Sequence, residues 1–239
     1  MINDFRVCLM SINLHGISNL LKVEVYKVFH CEGFLLCITK NLRLVVWNPY
    51  LEQARWIQGR SNYHKFDNYF IGYDDINKNQ KILRLLGGYR AFEFEIYNFK
   101  SNSWRVLVIN PNWMMYYYQQ GVSLKRNTYF NAHGRLVVED YFLLCFDFTR
   151  ERFGPRLHLP FHSLVCHDSV ILPSCRENQL TVLLKREDTY EIEIWITTMI
   201  EPNAVSWSKF FVVNDERIWS HLGYIEDGSF FIDENKKVG

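Results

Sequence analysis

The sequence predicts an all-β, β-propeller-like fold. Its units are of kelch type and about 50 residues long, and the array is incomplete or irregularly closed at its ends. Three observations predict it. A strand–turn–strand pattern bracketed by aromatic residues occurs four times, with first aromatics Trp47, Tyr97, Phe146 and Trp195 at separations of 50, 49 and 49. Aromatic residues are 16% of the chain, and they favour strands and packed sheet faces. Long runs with apolar residues at i, i+3, i+4 and i+7, the mark of a helix, are nearly absent.

In the first unit, "KVEVYKVFH" (22–30) and "GFLLCIT" (33–39) supply inner strands, and "LRLVVWNPYLEQARWI" (42–57) the outer hairpin. In the second, "NYFIGYDDI" (68–76) and "KILRLLGG" (81–88) precede "FEIYNFKSNSWRVL" (94–107). In the third, "GVSLK" (121–125) and "NTYFNAH" (127–133) precede "LLCFDFTRERFGPRL" (143–157). In the fourth, "SVILP" (169–173) and "LTVLLKR" (180–186) precede "IEIWITTMIEPNAVSWSKFF" (192–211). Four short strands separated by Gly, Asn and Asp describe a propeller unit. Second aromatics Trp56, Trp104, Phe153 and Trp207 follow the first at 9, 7, 7 and 12 residues, so the turn length varies while the period holds. These rings are expected to cover the hairpin and anchor one unit against the next. The opening "FRVCLMSINLHG" and closing "SHLGYIEDGSFFIDENKKVG" are expected to supply partial strands. No Pro/Gly/Ser-rich break divides the chain, so residues 1–239 are expected to form one domain.

Composition narrows the function. A net charge of +1 argues against a nucleic-acid or anionic-membrane partner. The apolar run from Val106 to Leu124 holds Asn110, Pro111, Gln119 and Gln120 and is too polar to span a bilayer. Six cysteines without a CxxC pair, and no Asn-x-Ser/Thr acceptor, fit a reducing compartment, cytosol or nucleus. The N-terminus places Asp4 and Arg6 among apolar residues, unlike a signal peptide.

The stretches "DFRVCLMSINLHGI", "VFHCEGFLLCITK", "LVVWNPYLEQARWI", "FEIYNFKSNSWRVL", "GVSLKRNTYF", "LLCFDFTRERFGPRL", "EIEIWITTMIEPNAVSWSKF" and "GSFFIDENKKV" resemble, in order, the F-box-associated domain of plant F-box/kelch-type proteins. The second unit is also similar to a kelch repeat, with Gly87-Gly88, Tyr97 and Trp104; the others lack the Gly pair. The resemblance implies a substrate receptor of a cullin-RING ubiquitin ligase, whose C-terminal domain holds a protein target. Its F-box would dock a Skp-type adaptor and, through it, a cullin. Nothing here matches the family's "LPxDL" run, so those two partners are expected only where an F-box is supplied.

No GxSxG element, P-loop or GxGxxG appears, so no catalytic or cofactor residue is assigned and the chain is expected not to be an enzyme. His158, His162 and Cys166 have metal-like spacing, but Pro160 breaks the helix that would align them. Glu93, Glu95, Glu191 and Glu193 could serve glycoside hydrolysis; their alternation with apolar residues predicts wetter strand faces. Binding is the stronger class. In "NPNWMMYYYQQ" (110–120), Trp113, Tyr116, Tyr117 and Tyr118 either cover a unit junction or contact a partner. Tyr63 and His64 in "GRSNYHKF" (59–66), and His162 in "LHLPFHSLVCHD" (157–168), lie in comparable inter-unit loops. Protein binding through these loops is the expected function, with glycan binding or a glycosidase-like enzyme as alternatives.

Overall fold

The computed structural model describes residues 24–64, 66–87, 93–115, 121–135, 141–161, 169–172, 175–176, 178–214 and 216. Their regular elements are strands, grouped in four antiparallel sheets. The first sheet runs β1 (Val25–Cys31), β2 (Phe34–Thr39), β3 (Leu44–Asn48), β4 (Gln53–Ile57). The second runs β5 (Asn68–Asp74), β6 (Asn79–Leu86), β7 (Glu93–Asn98), β8 (Ser103–Leu107). In the third, β10 (Val122–Leu124), β11 (Asn127–Gly134), β12 (Tyr141–Asp147) and β13 (Arg152–Phe153) follow in order, and β9 (Trp113–Met114) also pairs with β11. In the fourth, β14 (Ser169–Ile171), β16 (Gln179–Lys185), β17 (Glu191–Glu201) and β18 (Ala204–Asn214) are neighbours, with β15 (Cys175–Arg176) added on β16. The four expected units are therefore present, two of them with an extra short strand.

The predicted aromatics take equivalent strands but not equivalent surroundings. Trp47, Tyr97, Phe146 and Trp195 all lie on the third strand of the meander, and Trp56, Trp104, Phe153 and Trp207 all lie on the outer one. Tyr97 faces Trp104 and Phe146 faces Phe153 across the ladder, whereas Trp47 faces Ala54 and Trp195 faces Lys209. Tyr97 and Phe146 are fully buried and the other two half-buried. The difference follows position: the second and third sheets each lie between two described sheets.

Strand alternation sends neighbouring residues to opposite faces, and in the middle sheets both faces are core. On β5 and β6, Tyr69, Ile71 and Ile82 pack with Leu36, Leu44 and Val46 of the first sheet. Their neighbours Phe70 and Leu83 pack the other way, against Phe130, Phe142 and Phe146 of the third. On β11, Phe130 belongs to that junction while Tyr129 packs with Leu180, Val182 and Leu184 of the fourth. The inner strand β1 lies against both β5 and β10, which draws the first three sheets toward one centre.

The outer hairpins repeat one turn. Asn48, Asn98 and Asp147 each end the third strand, and each side-chain Oδ1 accepts the amides two and three residues on. Four residues on, Glu52, Asn102 and Glu151 have φ of 53, 52 and 51°, the left-handed region. Asp74 and Lys78 repeat the arrangement in the β5–β6 hairpin. The Asx carbonyl or carboxylate oxygen closes the turn where backbone partners are lacking. The fourth hairpin departs from this: β17 and β18 extend eleven residues each, shift register twice, and join through Pro202 and Asn203.

A second repeated contact joins consecutive sheets. Three residues after each turn closes, the outer strand meets the next sheet's hairpin. Arg55 donates to Phe99 O and Asn102 Oδ1 at 3.2 and 2.9 Å. Arg105 pairs with Glu151. At the third such position, Gly154 lies so near Pro202 that a Cβ would stand 2.5 Å from its carbonyl oxygen. Trp104 and Trp207 add the anchoring expected of the second aromatics, donating Nε1–H to Gln58 O at 2.7 Å and His158 O at 2.9 Å in the preceding units.

Buried charge reinforces the second junction. Lys81, 3% exposed, donates to Asp74 Oδ2, to Phe148 O at 3.0 Å and to Glu151 Oε1 at 2.7 Å. Burial alone would raise the Asp74 pKa, but hydrogen bonds from Asn77 and Lys81 outweigh it and lower the value to about 2. A depressed folded pKa gives stability that is present above the ordinary value and is lost as pH falls toward 2.

Two outcomes are expected. Phe130→Ala removes a fully buried ring shared by the second and third sheets, and urea denaturation should show a loss of about 3–5 kcal/mol. An acid titration from about pH 4 to about pH 2 should destabilise the wild type more than Asp74→Asn, measured against each protein's own stability at neutral pH.

Candidate protein-interaction surface

The strands run between two ends. At one lie the turns between the first and second and between the third and fourth strands of each sheet; at the other lie the inter-unit loops in which the sequence placed its binding candidates. In the loop at 58–67, packing claims most of the side chains. Arg84, fully buried, donates Nη2 to Asp67 Oδ2 at 2.6 Å and Nη1 to Glu95 Oε2 at 3.1 Å, and bonds Ser61 Oγ and Asn62 O. Its guanidinium lies 5.2 Å from the Tyr63 ring centre. Tyr63 donates its hydroxyl to Ile57 O at 2.7 Å, and burial pushes its pKa up to about 12. His64 is exposed, and its Nδ1 accepts the Phe66 amide at 3.3 Å. Asp67 Oδ2 also accepts the His64 amide at 2.9 Å, and Oδ1 the Gly87 amide at 3.2 Å. One arginine thus fixes the path of the whole loop.

Between Tyr63, His64 and the first sheet, with Lys27, Ile38, Leu42, Asp67 and Tyr69, is a recess of about 10 Å³, room for roughly one water. Small-molecule sites need several hundred Å³, so this recess does not hold a sugar ring.

Trp113 is corrected from contact residue to core. It is 6% exposed and meets Phe94 and Phe153 edge-on, with ring centres 6.1 and 4.9 Å away. Pairing of β9 with β11 draws it between the second and third sheets. It covers the junction and does not present its ring to a partner. Tyr116, Tyr117, Tyr118 and His162 lie outside the described residues, as does Cys166 of the metal-like triplet.

The wetter strand faces expected for the carboxylates are also corrected. Glu93 is exposed and Glu191 half-buried, but Glu95 and Glu193 are 3% and 4% exposed. Glu95 is held by Arg84 and by Arg60 at 3.2 Å. Glu193 accepts from Arg186 at 3.1 Å, Lys209 at 2.8 Å and Trp195 Nε1 at 3.0 Å. Burial raises the Glu193 pKa, yet these donors outweigh it and hold the group below its ordinary range. A general acid in glycoside hydrolysis needs the opposite shift. The two buried carboxylates also sit on different sheets, each neutralised by its own cations.

The hairpin end is different. Tyr50, Leu51 and Ile76 are 84%, 62% and 78% exposed, yet they stand on turns locked by Asn48 and Asp74. Gly33, with φ of 79°, lies under the Tyr50 ring; a Cβ there would stand 3.0 Å from Tyr50 Cε2. Arg126 bridges to Asp75 and, at 3.9 Å, to Glu32, which joins turns from three sheets. Sequence reading passed over Tyr50 and Leu51. The available signal was an apolar pair inside a turn opened by Asn-Pro.

A model of the F-box associated beta propeller domain matches residues 1–239. The chain belongs to the F-box-associated β-propeller family. An F-box/kelch-repeat protein of Arabidopsis thaliana is 46% identical over 272 residues, covering all of this chain and 69% of the relative. An F-box protein of the same plant is 47% identical over 269 residues, again covering 100% and 69%.

The two ends of the F-box-associated domain should respond oppositely to truncation. Arg84→Ala leaves Asp67 buried without its cation and Glu95 with Arg60 alone, and should cost about 3–5 kcal/mol. Tyr50→Ala should change stability by no more than about 0.5 kcal/mol. Urea denaturation of both variants checks the contrast.

Proposed function

We propose that this domain is the target-binding part of an F-box receptor, delivering a protein to a cullin-RING ubiquitin ligase in the cytosol or nucleus. The observation that carries the reading is the family match over residues 1–239, with relatives that are themselves F-box proteins. The physical features agree with it. The buried carboxylates of Glu95 and Glu193 are neutralised by cations, and the recess beside Tyr63 is too small for a sugar, so neither favours a glycosidase. Rigid turns displaying apolar side chains suit contact with a macromolecule. In this reading the Skp-type adaptor and cullin are engaged through an F-box, and the domain itself supplies only the target contact. Of the loops first expected to make that contact, the described aromatics Tyr63 and Trp113 serve packing, while His64 is exposed.

The test is affinity capture from Arabidopsis thaliana extract with the chain fused behind an F-box. The fusion should enrich at least one protein about tenfold over the same F-box on an unrelated propeller, and that protein should gain ubiquitin in a reconstituted ligase. Indistinguishable capture by the two fusions contradicts the reading.

A further inference from the structure

Three of the exposed large apolar side chains stand on hairpin turns, Tyr50 and Leu51 on the β3–β4 turn and Ile76 on the β5–β6 turn, and Arg126 joins the second of these, through Asp75, to Glu32 of the β1–β2 turn. Nothing in the packing requires Tyr50 to be there. It contributes little to the core at 84% exposure, while Gly33 leaves space beneath its ring. Its amide and that of Leu51 are fixed by Asn48 Oδ1 at 3.0 and 3.2 Å, so the pair is presented in one arrangement before any partner arrives. Preorganised aromatic tips are what binding surfaces use as anchors, because little entropy is lost on contact.

The two turns that meet at this tip, β3–β4 and β1–β2, each carry a carboxylate. Glu52, exposed and in the left-handed region, closes the same turn. Glu32 precedes Gly33, and its only described cation is Arg126 at 3.9 Å, whose guanidinium is also engaged by Asp75. The Tyr50 ring face, Leu51 and two carboxylates together match an apolar side chain next to a lysine or arginine. The cation gains from both the ring quadrupole and the carboxylates.

We infer that the hairpin end around Tyr50, Leu51, Glu32 and Glu52 is the target-docking surface, and that it takes a segment carrying basic and apolar residues side by side. This rests on the receptor reading above and names the surface and the kind of segment it recognises.

The test uses the full chain and a fluorescein-labelled twelve-residue peptide built of Gly-Leu-Lys repeats, read by fluorescence anisotropy. Saturable, salt-sensitive binding is expected. The charge-reversed Gly-Leu-Glu peptide, and the variants Tyr50→Ala and Glu32→Gln/Glu52→Gln, should each weaken it about tenfold or more. Val108→Ser and His64→Ala, at the opposite end, should leave it unchanged. Absence of saturable binding, equal binding of the charge-reversed peptide, or a loss at Val108 or His64 as large as at Tyr50 overturns the inference. Thermal melts of each variant identify any unfolded protein, and Leu51→Ser then replaces Tyr50→Ala. In the F-box fusion, capture that survives Tyr50→Ala with Glu32→Gln/Glu52→Gln overturns this surface and leaves the receptor reading standing. Failure of the unmodified fusion to capture any target overturns that reading instead.

Discussion

The middle sheets have no face to spare for water. Alternate residues of β5 and β6 pack into two different cores: Tyr69, Ile71 and Ile82 toward the first sheet, Phe70, Leu83 and Leu85 toward the third. A free antiparallel sheet of this size would leave at least one of those rows wet, at a cost of about 1.5–3 kcal/mol for each large side chain exposed. The rows are satisfied only when neighbours are present on both sides. The period near 50 residues expresses this constraint, since each unit must supply both a core for itself and a wall for the next.

Flat apolar faces alone would let the sheets slide over one another. The polar contacts between units remove that freedom. Arg55 on Asn102, Arg105 on Glu151 and Gly154 against Pro202 occupy the same place in successive units, and the indole N–H groups of Trp104 and Trp207 hold the Gln58 and His158 carbonyls of the preceding units. Where a long cation would not fit, glycine takes the position and the fourth hairpin closes directly on it. Lys81 inside the second junction has carboxylates on both sides, which lets a charge remain buried without a large penalty.

The four units, their strand order and most strand positions were legible because periodicity and turn residues are local signals. What failed depended on partners distant in sequence. Glu95 alternates with apolar residues as a solvated strand residue would, but its cross-strand neighbour is Arg84, itself inside. Trp113 sits in an aromatic run whose sequence leaves junction cover and partner contact both open until β9 is seen to pair with β11 and fill a junction. The length of the fourth hairpin was hidden because its two-residue Pro202-Asn203 turn marks a position without revealing how far the ladder extends. Tyr50 was overlooked for the opposite reason: a single aromatic in a turn is a weak signal until its exposure and the locked backbone are known. The interior spends its aromatics on junctions, and few rings are left exposed at the turns.

Native-state hydrogen exchange tests most directly whether the sheets stand only together. The amides of Leu83 on β6, Phe130 on β11 and Val182 on β16 report on three different sheets. Shared burial predicts that all three exchange through one global opening, and that Leu107→Ala, at the rim of the second junction, lowers their protection by the same free energy. A loss confined to Leu83 and Phe130, with Val182 unaffected, would contradict it.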